Sequence, residues 1–154
     1  MVTFHPVSPI DPSARELLTE YFAARAAEFP GGTYSPVFPG ANAFAPPDGV
    51  LLLVRDGERI VGCGGIRRLP GDAVRFEVKH VFLRAETRGR GWGRLLLDEL
   101  ESRAREWGAQ DLVLDTHHTL EAAGHLYRRS GYVEIEPYND NPNATRWYRK
   151  ALSP

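Results

Sequence analysis

The chain has 154 residues, 42% of them hydrophobic, with 19 basic and 20 acidic side chains and a formal net charge of -1. That length suits one domain (1–154) with a full core rather than two, and near-neutrality excludes a broad surface for nucleic acid or anionic lipid, so any anion has to be recognised locally. A single cysteine, Cys63, excludes an intrachain disulfide, the opening MVTFHPVSPI lacks the charged and apolar run of a secretory signal, and the longest aliphatic run, VLLLV, is far too short to cross a bilayer; a cytoplasmic protein working away from membranes is expected.

In chain order, residues 3–7 are predicted as a first strand. Asp11 or Ser13 can cap a helix whose apolar positions Leu17, Leu18, Phe22 and Ala26 recur at helical spacing to about Phe29. The stretch PGGTYSPVFPGANAFAPP, 30–47, is too rich in Pro and Gly for a regular element, yet its Tyr34, Phe38 and Phe44 point to a packed surface loop. GVLLLVRDGERIVGCGGIRRL sets two aliphatic runs around Asp56-Gly57, a dipeptide suited to a tight hairpin turn, and a second turn at Pro70-Gly71-Asp72 leads into AVRFEVKHVFL. Three consecutive antiparallel strands follow. The period then changes: Leu96, Leu100, Ala104 and Trp107 share a helical face, with Gly108 as C-terminal cap. DLVLDT is a strand, and the intervening helix makes its pairing with the strand before Arg84 a parallel crossover. Thr119 is expected to cap another helix running to about Ser130 and ended by Gly131, and YVEIEPY and TRWYRKAL read as two last strands around an Asn/Pro loop.

The stretch RAETRGRGWGRLLLDELESRAREWGAQ, from Arg84, opens a helix with glycines at 89, 91 and 93 between Arg88, Arg90 and Arg94. A helix N-terminus exposes unpaired N–H groups and the positive end of the macrodipole; glycines let an anion touch those groups, and guanidinium forks suit phosphate oxygens. A phosphate-bearing ligand is the simplest explanation. The Gly-Lys-Ser/Thr ending of a nucleotide-hydrolysing loop is missing, and a dinucleotide fingerprint would need a different glycine spacing without antiparallel strands in front of it.

With these residues in view, the sequence resembles the GNAT superfamily of acyl-CoA-dependent N-acyltransferases. Arg88, Gly91 and Gly93 meet that family's Arg/Gln-x-x-Gly-x-Gly/Ala signature within EVKHVFLRAETRGRGWGRLLL, and LDTHHTLEAAGHLYRRSGYVEIEPY is similar to its next block, with Ala123, Leu126, Tyr127 and Gly131-Tyr132 in the usual order. The likeness extends over most of residues 45–150; APPDGVLLLV and the Asn/Pro loop are similar to one bacterial subgroup. It implies an α/β fold with a mixed sheet, mostly antiparallel, a central splayed parallel pair and flanking helices. It implies acetyl-CoA as cosubstrate, its diphosphate on Arg88, Gly89, Arg90, Gly91, Trp92, Gly93 and Arg94, and its pantetheine arm against the backbone of Val81, Phe82 and Leu83. Ala85 and Leu120 depart from the family pattern, where a proline and a cofactor-contacting asparagine are common.

Transfer to an amine needs a neutral nucleophile, a place for the oxyanion and a proton for the departing thiolate. By family position Tyr127 is the candidate acid, against an ordinary half-buried tyrosine. Glu77, read as sharing side-chain parity with Val81 and Leu83, is the candidate base, against a solvated partner of Lys79. A backbone N–H near Leu83 is expected to polarise the thioester carbonyl. Cys63 is expected to be a small core residue rather than a nucleophile, and His117, His118 and His125 match no common zinc spacing, so no metal is expected. Trp92 is open to two placements, over the cofactor or against the sheet. Arg67-Arg68 and Arg128-Arg129 read as solvated element ends. Tyr34, Phe38 and Tyr138 either hold an amine or anchor their loops. The leading expectation is N-acetylation of a small-molecule amine by direct attack; a non-catalytic acyl-CoA sensor and a protein N-acetyltransferase are the alternatives, and the resemblance admits a homodimer.

Overall fold

In the computed structural model, which describes residues 1–29, 34 and 36–152, the chain folds as β1 (Val2–Pro6), α1 (Pro12–Glu28), β2 (Gly49–Asp56), β3 (Arg59–Arg68), β4 (Arg75–Leu83), α2 (Trp92–Glu106), β5 (Asp111–Thr116), α3 (Glu121–Arg129), β6 (Val133–Ile135) and β7 (Arg146–Ala151). The strands form one seven-stranded sheet in the order β1-β2-β3-β4-β5-β7-β6. Every neighbouring pair is antiparallel except β4–β5, the parallel pair expected from the intervening helix.

The unbroken apolar run of β2 marks a strand covered on both faces. Val50, Leu52 and Val54 face a cluster closed by Leu96, Leu97, Leu100 and Ala104 of α2 and Tyr127 of α3. Leu51 and Leu53 face the other way, with Cys63, toward Ala14, Leu17, Leu18 and Phe22 of α1. Burial of each such leucine contributes about 1.5–3 kcal/mol. Asp11 caps α1 by accepting the Ser13 N–H at 3.0 Å. Asp111 staples the start of β5 to both neighbours, accepting from Arg75 Nε and Arg149 Nε at 3.0 and 2.6 Å.

Several boundaries differ from the expected ones. The hairpin turn falls on Gly57-Glu58, because Asp56 still pairs with Arg59. Ala26 is exposed, and α1 buries only Ala14, Leu17, Leu18 and Phe22. Trp107 follows α2 as its cap and stacks on Phe76 at 5.8 Å between centroids, with Gly108 left-handed at φ 82° behind it. Thr119 does not cap α3; Leu120 occupies the cap position without a side-chain bond, and Thr119 Oγ1 is paired with His117 Nδ1 at 2.7 Å. Of the predicted loop at 30–47, residues 30–33 and 35 lie outside the described residues.

Two features of β4 shape the site. Its ladder with β5 covers only Arg75–Glu77 against Asp111–Val113, after which the two strands part. Beyond that, the register with β3 slips between Cys63 and Gly65, and His80 stands at φ 59°, so β4 carries one extra residue. The bulge reverses the alternation: Phe76 and Val78 face the α2 side before it, Val81 and Leu83 after it. Glu77 therefore does not share a face with Val81 and Leu83; it lies on the α1 side, as Phe82 does.

Candidate active site

Where β4 and β5 part, a cavity of about 450 Å³ opens through the sheet. Val78, Lys79, His80 and Val81 line one flank; Asp115 and Thr116 line the other, continued by Leu120, Ala123 and Tyr127 of α3. Tyr21, Phe22 and Arg25 of α1 close it from above, with Tyr34, Phe44 and the asparagines 139, 141 and 143.

At the end of β4, Gly89 and Gly91 take left-handed φ of 82° and 77°, where an L side chain is strained. Among the described residues, nothing lies within 4 Å of a Cβ placed on either. Gly91 is the N-cap of α2, no side chain caps the helix, and its first turn holds no acidic residue. The first N–H groups are thus left without an intrahelical acceptor beside open space, which fits a diphosphate. Gly93 has a different cause: its missing Cβ makes room for Leu126 Cδ2, which would lie 3.0 Å away. Of the arginines, Arg90 lies over the Trp92 ring at 5.2 Å, while Arg94 pairs with Asp98 at 3.5 Å and donates to the Arg129 carbonyl. Trp92 packs against the α2-side core. Along β4, Phe82 and Leu83 pair with β3 on one edge, while the other edge beyond Glu77 has no strand partner among the described residues. Its backbone groups are open to a ligand amide.

Tyr127 is 7% exposed, in ring contact with Tyr132 and Tyr148 at 5.9 and 6.2 Å. Its hydroxyl has no hydrogen-bond partner among the described residues, and the side chain borders the cavity. Burial raises its pKa well above the ordinary phenol, so it stays protonated at neutral pH. Glu77 is almost wholly buried and does not border the cavity. Its Oε1 accepts from Arg67 Nε at 2.9 Å, and its Oε2 accepts from the Tyr138 hydroxyl at 2.6 Å. Arg67 is exposed, as expected of a strand end, but is also paired with Glu77, and Tyr138 serves Glu77 rather than an incoming amine. Phe38 packs on Phe22 at 4.8 Å under the Arg15 guanidinium, which makes it a loop anchor. Cys63 is fully buried with its thiol pushed up to about 12 by burial, which removes it as a nucleophile. No group of three or more metal-ligating side chains occurs among the described residues.

Four cavity residues escaped the sequence reading. Arg25 and Tyr21 sit on α1, where a polar face looks like any solvated one; Arg25 donates to the Tyr21 hydroxyl at 3.0 Å. Lys79 and Asp115 belong to the two parting strands, with Nζ 3.6 Å from Oδ1. Asn139 donates to Asp115 Oδ2 at 2.7 Å, bringing the Asn/Pro loop over the opening. His80 was legible only as a strand residue. Its imidazole is pulled down to about 3, first by burial and then by Lys79, Arg67 and Arg25, and is neutral across the physiological range.

Residues 12–132 match the model of the acetyltransferase (GNAT) family. An uncharacterized N-acetyltransferase of Schizosaccharomyces pombe is 35% identical over 100 residues, 64% of this chain and 61% of its own length. The chain spans less than two thirds of the length of each curated relative it matches. Among solved structures, a Klebsiella pneumoniae protein assigned as an acyl-CoA N-acyltransferase superposes with a TM-score of 0.77 at 28% identity, covering 99% of both chains. A GNAT-family acetyltransferase of Elizabethkingia anophelis, solved with acetyl-CoA bound, shares the fold with a TM-score of 0.65 at 18% identity, covering 98% of both chains.

Proposed function

The chain belongs to the acetyltransferase (GNAT) family, and from that premise we propose that it moves an acetyl group from acetyl-CoA to the primary amine of a small molecule, by direct attack in a ternary complex. The observations that carry this reading are an uncapped, acid-free helix start following β4 and a cavity where β4 and β5 part, at whose α3 wall a protonated Tyr127 stands with no hydrogen-bond partner among the described residues. Acetyl-CoA, when bound, supplies an activated thioester carbonyl and a sulfur leaving group.

In this proposal the N–H groups from Gly91 to Arg94 hold the diphosphate charge, and the open edge of Val81, Phe82 and Leu83 aligns the pantetheine amides. A backbone N–H near Leu83 stabilises the developing oxyanion. Tyr127 holds a proton at Oη for the leaving sulfur. Glu77, tied to Arg67 and Tyr138 away from the cavity wall, assists proton removal only through water rather than by contact with the amine. A cavity of about 450 Å³ with aromatic and asparagine walls is of small-molecule size, which favours such an acceptor over a protein segment.

The test is steady-state release of free CoA from acetyl-CoA against a panel of small amines and basic peptides. Amine-dependent release supports the proposal. Tight acetyl-CoA binding with no amine-stimulated release would instead favour a sensor.

A further inference from the structure

Three cations border the cavity: Arg67, Lys79 and Arg25. Arg67 is neutralised by Glu77 at 2.8 Å, and Lys79 faces Asp115 at 3.6 Å. Arg25 has no carboxylate partner among the described residues. Its NH1 donates to the Tyr21 hydroxyl at 3.0 Å and its NH2 to the Asn143 carbonyl at 3.2 Å. Its guanidinium carbon lies 5.9 and 5.5 Å from the Tyr21 and Tyr34 ring centroids. A guanidinium fixed on two neutral oxygens and two rings is oriented but not charge-compensated, and its remaining N–H donors suit a carboxylate.

The charge also bears on the acceptor's other end. A purely cationic amine would be repelled by Arg25, whereas a molecule carrying both an amine and a carboxylate would be drawn in and oriented. Tyr21, Phe22, Tyr34 and Phe44 supply apolar wall beside the cation. From this geometry we propose that the acceptor is an amine that also bears a carboxylate on an apolar or aromatic body, with Arg25 as the carboxylate anchor. This rests on the acetyl-transfer reading above.

The experiment compares L-phenylalanine with phenethylamine, and 4-aminobutyrate with butylamine, in the CoA-release assay, with rates referred to the concentration of free amine. The wild type is expected to favour the carboxylated member of at least one pair. Arg25→Gln is expected to raise KM for that acceptor on the order of 10- to 100-fold, the loss of a charge-assisted contact, while kcat/KM for its carboxylate-free partner stays within about twofold. Arg25→Lys, which keeps the charge without the fork, is expected to retain part of the preference; it also controls for folding, since Arg25 supports Tyr21 and the Asn143 backbone. Turnover of the carboxylate-free amines with no preference for carboxylated ones, or an equal loss on both members of a pair in Arg25→Gln, overturns this inference alone. Absence of turnover with every amine overturns the acetyl-transfer reading beneath it.

Discussion

Replacing Tyr127 by phenylalanine separates catalysis from stability, because the two roles of this side chain use different atoms. The ring packs between Tyr132 and Tyr148, contacts that phenylalanine keeps. The hydroxyl belongs to a side chain that borders the cavity and has no protein hydrogen-bond partner among the described residues, so deleting it breaks no such bond. Removing it should therefore shift stability by less than about 1 kcal/mol, and for a chain of this size each kcal/mol moves Tm by only about 2–4 °C. The rate should move far more: loss of a general acid lowers kcat by roughly 10²–10⁴. The assay pairs CoA release at saturating acetyl-CoA and amine with a thermal melt of the same preparation. Because burial raises the phenol's pKa, the wild-type rate should show no Tyr127 limb below about pH 10. A variant within about twofold of wild-type kcat, or one whose Tm and kcat fall together, would make Tyr127 a packing residue and refute the reasoning.

Asp111→Asn should destabilise the fold by about 2 kcal/mol, the loss for a buried pair moderated by the partial exposure of Arg75 and Arg149, read by denaturant titration at pH 7. Burial pushes the Asp111 carboxyl up, but hydrogen bonds from Arg75 and Arg149 outweigh it and leave the folded value below the ordinary 3.8. The stabilisation is thus complete above the unfolded value and lost as pH falls through the folded one, so the gap between variant and wild type should close below about pH 3.9. Native Cys63 should resist a thiol reagent at pH 8 until the protein unfolds, since its thiol is buried and pushed up to about 12; prompt labelling with loss of activity would reopen a covalent route. Gly91→Ala forces an L side chain to φ 77°, a strain of roughly 1–2 kcal/mol. It should lower Tm and weaken acetyl-CoA binding without preventing folding, because none of the described residues lies within 4 Å of the new Cβ; unchanged affinity would contradict the loop's assignment.

Patterning carried much of this fold. The apolar run of β2, the changes of period around α2 and the glycines at 57, 108 and 131 gave the antiparallel strands, the parallel crossover and the helix ends, because these depend on local propensity and face alternation. The glycine-rich start of α2 was visible for the same reason. The β4 bulge was not. Histidine at φ 59° has no sequence signature, and one extra residue moved Glu77 to the opposite face from Val81 and Leu83. Once there, Glu77 is claimed by Arg67 and Tyr138, a partnership over sequence separations of 10 and 61 that no local pattern reveals. Arg25 was hidden similarly: on α1 it reads as one more polar position, and only the meeting of α1, the 34–44 loop and the Asn/Pro loop makes it part of the cavity wall.

Calorimetric titration with acetyl-CoA and, separately, with acetyl-pantetheine, which lacks the diphosphate, tests the central claim most directly. Capture of the diphosphate by the N–H groups that open α2 predicts saturable binding of acetyl-CoA, with acetyl-pantetheine weaker by at least about tenfold, the worth of one charge-assisted hydrogen bond or more. Equal affinities for the two, or no binding heat from either, would contradict it.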